Sequence, residues 1–262
     1  MRLQVFLSHN GVYSRRRAME LIQQGLVTVN GQLTTEPSWK VFPERDQVTV
    51  SGKLIAAKQY EYVILNKPQG YVTTMAEHRG EKSVLELLPE EYHHLKPVGR
   101  LDRDTEGLLL FTNDGDVAYK LTHPKFNVDK VYYVEIRGQM SEVSKRKLEK
   151  GVSIEGEMTS PAKIIDVCTS NLNSPKKTNV EILTTAVNIS SEKVSKDVKS
   201  ADGKTNFYMT IHEGKKRQIR LMCKAVDHEV DYLKRISQGP LALGNLKSGQ
   251  WRRLTVEEIK SL

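Results

Sequence analysis

Apolar residues recur at helical spacing near the start of the chain and then give way to strand-like runs. Leu3, Phe6 and Leu7 stand at i, i+3 and i+4, and Gly11 interrupts the pattern. Ser14 follows as an N-cap, and Ala18, Leu21 and Ile22 form the apolar face of a second helix that stops at Gly25. Leu26-Val27-Thr28-Val29 then Asn30-Gly31 predicts a strand and a hairpin turn, and Val48-Thr49-Val50 before Ser51-Gly52 predicts another strand. Ala56-Ala57-Lys58-Gln59 reads as a linker, which makes residues 1–56 a small module separate from residues 57–262.

Beyond the linker, strand patterns dominate. Residues 60–65, 108–111, 130–136, 162–167, 179–184 and 207–211 are strand-like, while 116–121, 141–151, 216–225 and 255–262 are helix-like. The last helix carries a capping box at Thr255 and Glu258. Strands this frequent, without strict alternation with helices, predict an α+β fold with a mainly antiparallel, mixed sheet and flanking helices. Residues 186–205 are rich in polar residues and lack apolar periodicity, which predicts a flexible surface insertion.

Composition adds a partner and a compartment. A net charge of +8 over 262 residues favours a polyanion such as nucleic acid. The chain has no apolar run near the ~20 residues of a membrane span and no signal-peptide core at its start. Its cysteines, Cys168 and Cys223, lack ligand spacing, so a reducing cytoplasm is expected, with both serving as packing residues.

Three segments carry candidate chemistry. The first, Pro97-Val98-Gly99-Arg100-Leu101-Asp102-Arg103-Asp104-Thr105-Glu106-Gly107, leads into the apolar run 108–111 and ends at Asp114-Gly115. Its charges must sit at the edge of a core, where a carboxylate needs a partner. The run is either a nucleophile or base held by arginines at a cleft, or a loop whose arginines and carboxylates satisfy one another. The second, Lys130-Val131-Tyr132-Tyr133-Val134-Glu135-Ile136, puts Lys130 and Tyr132 on one strand face and Val131 and Tyr133 on the other. A tyrosine there can stack on a base or simply fill the core.

The third, Gly214-Lys215-Lys216-Arg217-Gln218-Ile219-Arg220, places four cations in the first turns of a predicted helix. Arg15, Arg16 and Arg17 do the same on the earlier helix. Cations at a helix N-terminus oppose the dipole and call for an anion such as phosphate, or else form a solvated basic turn. The seven histidines show no metal-ligand spacing, and phosphate-loop, dinucleotide and serine-elbow motifs are missing, so no cofactor or metal is expected.

Taken in order, these segments resemble the bacterial ribosomal RNA pseudouridine synthases of the RsuA/RluB/RluE/RluF family. Residues 1–56 resemble the S-four-type RNA-binding domain that precedes the catalytic domain in that family. Gly99-Arg100-Leu101-Asp102-x-Asp104-Thr105-Glu106-Gly107-Leu108-Leu109, Lys130-Val131-Tyr132 and Gly214 to Arg220 resemble its motifs, as do Gly239-Pro240-Leu241 and Gly249-Gln250-Trp251-Arg252. The resemblance implies isomerisation of uridine to pseudouridine in ribosomal RNA, without a cofactor, by a monomer. Asp102 would be the catalytic carboxylate, acting at ribose C1′ or on a neighbouring sugar proton, with Arg220 keeping it ionised.

Tyr132 would pack on the base and take part in proton handling. Arg100 would fill the space left by the flipped uridine. Arg15, Arg16, Arg17, Lys130, Lys215, Lys216 and Arg217 would contact RNA, and Asp104 and Glu106 would shape the loop through local hydrogen bonds. Thr73-Thr74-Met75-Ala76-Glu77-His78-Arg79-Gly80 and Thr122-His123-Pro124 look like the RluB-type branch, which acts on the large subunit or its precursor. Val5 and Lys215-Lys216 depart from the usual pattern. The same reaction on small-subunit RNA, or RNA binding without catalysis, are the alternatives.

Overall fold

The computed structural model describes residues 1–10, 13–56, 59–75, 80–166 and 204–262. The expected strand at 179–184, residues 186–203 of the expected insertion and Cys168 lie outside the described residues, while Lys204 and Thr205, assigned to that insertion, belong instead to a strand. The chain divides into two compact units, Met1–Tyr60 and Glu61–Leu262.

In the first unit, helices α1 (Leu3–Asn10) and α2 (Arg15–Gln23) accompany a sheet of β1 (Val27–Val29), β2 (Gln32–Leu33), β3 (Val48–Val50) and β4 (Lys53–Ile55), ordered β2-β1-β3-β4. The Ser14 side chain accepts from the Arg17 amide at 3.2 Å and caps α2. Asn30 and Gly31, both at positive φ (51° and 79°), make the tight turn between β1 and β2. The apolar positions that set the helical periodicity meet the valines of β1 and β3 in one core: Leu3, Phe6, Leu7, Ala18, Leu21 and Ile22 are all buried. Arg15, Arg16 and Arg17 stay exposed, with Arg17 paired to Glu20.

The second unit contains β5 (Tyr62–Lys67), β6 (Lys96–Pro97), β7 (Glu106–Thr112), α3 (Gly115–Thr122), β8 (Lys130–Arg137) and α4 (Glu142–Lys150). It continues with β9 (Ser153–Ile154), β10 (Glu157–Met158), β11 (Lys163–Asp166), β12 (Lys204–Ile211), α5 (Gln218–Lys224), β13 (Val230–Gln238), β14 (Leu241–Ala242), β15 (Trp251–Arg253) and α6 (Val256–Ser261). The main sheet runs β11-β12-β8-β13-β7-β5-β15, with β6 on β7 and β14 on β13. Its described pairings are antiparallel except β13 with β7, which is the α+β mixed sheet expected. Leu108, Leu109, Leu110 and Phe111 are fully buried in β7, so that strand anchors the loop preceding it. No described helix is long and apolar enough to cross a membrane.

Three expectations need correction. β5 runs two residues later than 60–65 and takes Asn66 and Lys67 into the core. The helix expected from residue 216 starts at Gln218, because Arg217 adopts a left-handed conformation (φ 51°) that a continuing helix does not allow. β13 has no counterpart among the predicted strands, although it lies at the sheet centre between β8 and β7.

Its parallel contact with β7 requires Gly107. A Cβ there would lie 2.2 Å from the Arg235 carbonyl oxygen, and Gly107 has φ +118°. Gly107→Ala is therefore expected to cost about 2–5 kcal/mol, as overpacking adds to backbone strain. A lowered urea midpoint of the second unit checks this.

Candidate active site

The three sequence segments converge, together with β13, on one cleft of about 350 Å³. Its wall combines Val98 to Asp102 and Thr105 from the loop before β7 with Lys130 and Tyr132 from β8. Gly214 to Ile219 from the turn and first residues of α5, Leu233, Arg235 and Gln238 from β13, and Thr122, Pro124 and Ile211 complete it. A cleft of this size holds a small organic group such as a nucleoside. Tyr132 and Lys130 lie on the buried face of β8, at 8% exposure each. Arg100 is exposed on the wall.

The structure separates the four acidic residues of the first segment. Asp114 caps α3, accepting from the amides of Asp116 (3.0 Å) and Val117 (3.2 Å), while the Tyr62 hydroxyl donates to its other oxygen at 2.7 Å. Glu106 pairs with Lys234 at 2.8 Å. Asp104 receives Arg217 through two bonds (3.2 and 3.0 Å), and Arg220 Nε lies 3.2 Å from the same carboxylate. Asp102 is half-buried and, among the described residues, has no ion-pair partner and is the only carboxylate on the cleft wall.

The expected Asp102–Arg220 contact is thus corrected. Arg220 reaches Asp104 instead, donating also to the Asp104 carbonyl (2.9 Å) and to the Val230 carbonyl (2.9 Å). The expectation that Asp104 and Glu106 act through local hydrogen bonds also fails, since both pair with distant cations. Burial opposes ionisation of Asp104, yet the Arg217 hydrogen bonds and the Arg220 charge outweigh it and hold the carboxyl below its usual range. The double pair clamps the loop carrying Asp102 against the turn before α5.

A second brace comes from β5 and the segment after it. Lys67, fully buried, donates to the carbonyls of Thr105 (2.7 Å) and Pro68 (3.0 Å). The Thr73 hydroxyl donates to the Leu101 carbonyl at 2.8 Å, and the Gly70 amide to that of Arg103 at 2.8 Å. Burial pushes the Lys67 ammonium down to about 8, while Asp104, Asp102 and Glu106 pull it upward. The unfolded chain therefore holds this proton to higher pH than the fold does, and stability rises from about pH 8 toward about 10.5, by up to ~1.4 kcal/mol per unit. Urea unfolding at pH 8 and 9.5 should show this slope in the wild type and lose it in Lys67→Met.

The family model described as RNA pseudouridylate synthase matches residues 61–225, and the S4 domain model matches residues 1–46. The chain is 38% identical over 261 residues to ribosomal large subunit pseudouridine synthase B of Bacillus subtilis, covering 100% of this chain and 95% of that protein. The chain belongs to the RNA pseudouridylate synthase family. An uncharacterized RNA pseudouridine synthase of Aquifex aeolicus is 34% identical, over 100% of this chain and 93% of that one. A crystal structure of a pseudouridylate synthase superposes with a TM-score of 0.61 at 27% identity, covering 100% and 99% of the two chains.

Within this synthase, the basic residues expected at RNA divide by location. Lys215 pairs with Glu157 at 2.7 Å, Arg217 is held by Asp104, and Lys130 is buried with its ammonium on the Val128 carbonyl (3.0 Å). Arg100 and Lys216 remain as exposed cleft cations without an acidic partner among the described residues. Arg15, Arg16 and Arg17 belong to the other unit. Among the described residues no metal-ligating cluster of three or more His, Cys, Asp or Glu occurs. Lys67, Arg235 and Gln238 went unnoticed in the sequence, and Thr73 was named there only within the branch-marking segment. The Lys67-Pro68-Gln69-Gly70 turn was the signal for Lys67; β13 offered none.

Proposed function

We propose that the synthase isomerises uridine to pseudouridine in ribosomal RNA, at a large-subunit position, with Asp102 as the catalytic carboxylate. The observation that carries this reading is that Asp102 is the one carboxylate among the described residues lining the cleft, on a loop braced from two sides. In the reaction the N1–C1′ bond breaks, a C5–C1′ bond forms, the C5 hydrogen leaves as a proton, and N1 gains one. An ionised Asp102 serves either by attack at C1′ or by taking a sugar proton. No redox partner is needed, since substrate and product are isomers.

Tyr132 presents its ring to the base from the cleft wall and assists proton handling. Arg100, exposed beside the cleft, takes the place of the flipped uridine in the RNA stack, and Lys216 meets phosphate. Arg220 acts as a positioning residue through Asp104. The synthase is read as a monomer that acts in the cytoplasm on its ribosomal RNA substrate. The full-length similarity to a large-subunit enzyme of B. subtilis supports that target.

Mapping pseudouridine in both ribosomal RNAs of a deletion strain, with and without the restored gene, tests the proposal. One large-subunit position should lose its pseudouridine and regain it. A change confined to small-subunit RNA would move the target, and unchanged maps would leave only RNA binding.

A further inference from the structure

Two residues that line the cleft carry buried polar atoms with no partner among the described residues. Arg235, 3% exposed, donates from Nε to the Leu108 carbonyl at 2.8 Å, but its buried Nη2 has no acceptor among the described residues. Gln238, 1% exposed, donates from Nε2 to the Leu121 carbonyl at 3.3 Å, and its buried Oε1 has no donor among the described residues. Leu121 offers only a carbonyl oxygen there, so the amide nitrogen must face it and Oε1 must face away. Unmatched buried groups of this kind cost free energy and are uncommon unless a ligand completes them.

Backbone geometry brings the pair together. Residues three apart on a regular strand point to opposite faces. β13 instead changes register between Arg235 and Ser237, so that Arg235 stands opposite Tyr132 and Gln238 opposite Lys130. Both partners lie on the same buried face of β8. The bulge therefore turns Gln238 toward the cleft that Arg235 already lines, a recognised use of bulges beside binding sites.

We propose that Arg235 and Gln238 read the Watson–Crick edge of the target base: Arg235 Nη2 donates to a ring carbonyl, and Gln238 Oε1 accepts from N3–H. This rests on the isomerase reading and names what selects its substrate. Uracil presents a carbonyl beside an imide N–H and meets both groups. Cytosine keeps a ring carbonyl for Arg235 but presents an acceptor at N3, which leaves Gln238 Oε1 facing a lone pair. A buried site built to hydrogen-bond one edge rejects the other by large factors.

The test uses the full chain and a ribosomal RNA transcript with uridine, or 3-methyluridine, which lacks the N3 donor, at the modified position. Wild type should bind the 3-methyluridine transcript at least about tenfold more weakly. Gln238→Met should lower kcat/KM on the uridine transcript about 10–100-fold and bind both transcripts equally. The wild-type comparison needs no variant, so a misfolded Gln238→Met does not rescue the idea. Equal wild-type affinity for both transcripts, or a Gln238→Met enzyme that keeps wild-type kcat/KM, overturns the edge-reading role while tritium release leaves the isomerase reading standing. A wild type that releases no tritium from C5-labelled transcripts overturns both.

Discussion

Asp102→Asn is expected to lower pseudouridine formation by about 10⁴-fold or more, while RNA affinity stays within about threefold of wild type. The substitution keeps the shape, removes the charge and turns one acceptor oxygen into an amide donor. Asp102 has no ion-pair partner among the described residues, so neutralising it strands no cation, and thermal stability should be nearly unchanged. Its neighbours offer no substitute: Glu106 is engaged by Lys234, and Asp104 by Arg217 and Arg220. Primer extension after carbodiimide treatment measures the product, and filter binding measures affinity. Retained activity would remove Asp102 from the chemistry.

Asp104→Ala should also be severe, by another route. Arg217 would lose its carboxylate and Arg220 would keep only backbone acceptors, so the loop bearing Asp102 would loosen against the turn before α5. Misplacement of a catalytic group by about 1 Å costs on the order of 10²-fold, and a fall of that size is expected in kcat with little change in KM. Asp104→Asn, which still offers an oxygen to Arg217, should lose less. Arg220→Met should lose a comparable amount, and the double variant should fall far short of the product of the two, because both act through one clamp. The folded carboxyl titrates below its ordinary range, so its contribution holds above about pH 4 and fades only as pH falls lower.

What was legible in the residues was whatever depends on local pattern. The run 108–111 reads as a buried strand because four apolar residues in succession have no amphipathic face to expose, and β7 is that strand. Ser14 and Thr255 read as caps because their side chains serve their own helices. Partner choice across long separations was not legible. Asp102 and Asp104 are two residues apart, and nothing in their spacing says which one faces Arg220.

β13 escaped notice for a related reason. Lys234 and Arg235 interrupt its apolar pattern, and the half-burial of Lys234 and full burial of Arg235 make sense only beside Glu106 and the Leu108 carbonyl of a strand more than a hundred residues earlier. Lys67 is similar: a fully buried lysine looks like a surface residue until the carbonyl of Thr105 is placed next to its ammonium. The bulge that turns Gln238 inward is a property of strand register, which residue types alone do not specify.

The most direct measurement is single-turnover tritium release from large-subunit ribosomal RNA carrying uridine labelled at C5, with enzyme in excess and no added cofactor. Moving the glycosidic bond from N1 to C5 expels that hydrogen, so the account predicts one tritium released per RNA by the wild type and none by Asp102→Asn. RNA bound tightly by the wild type with no tritium released, or equal release by both proteins, would contradict it.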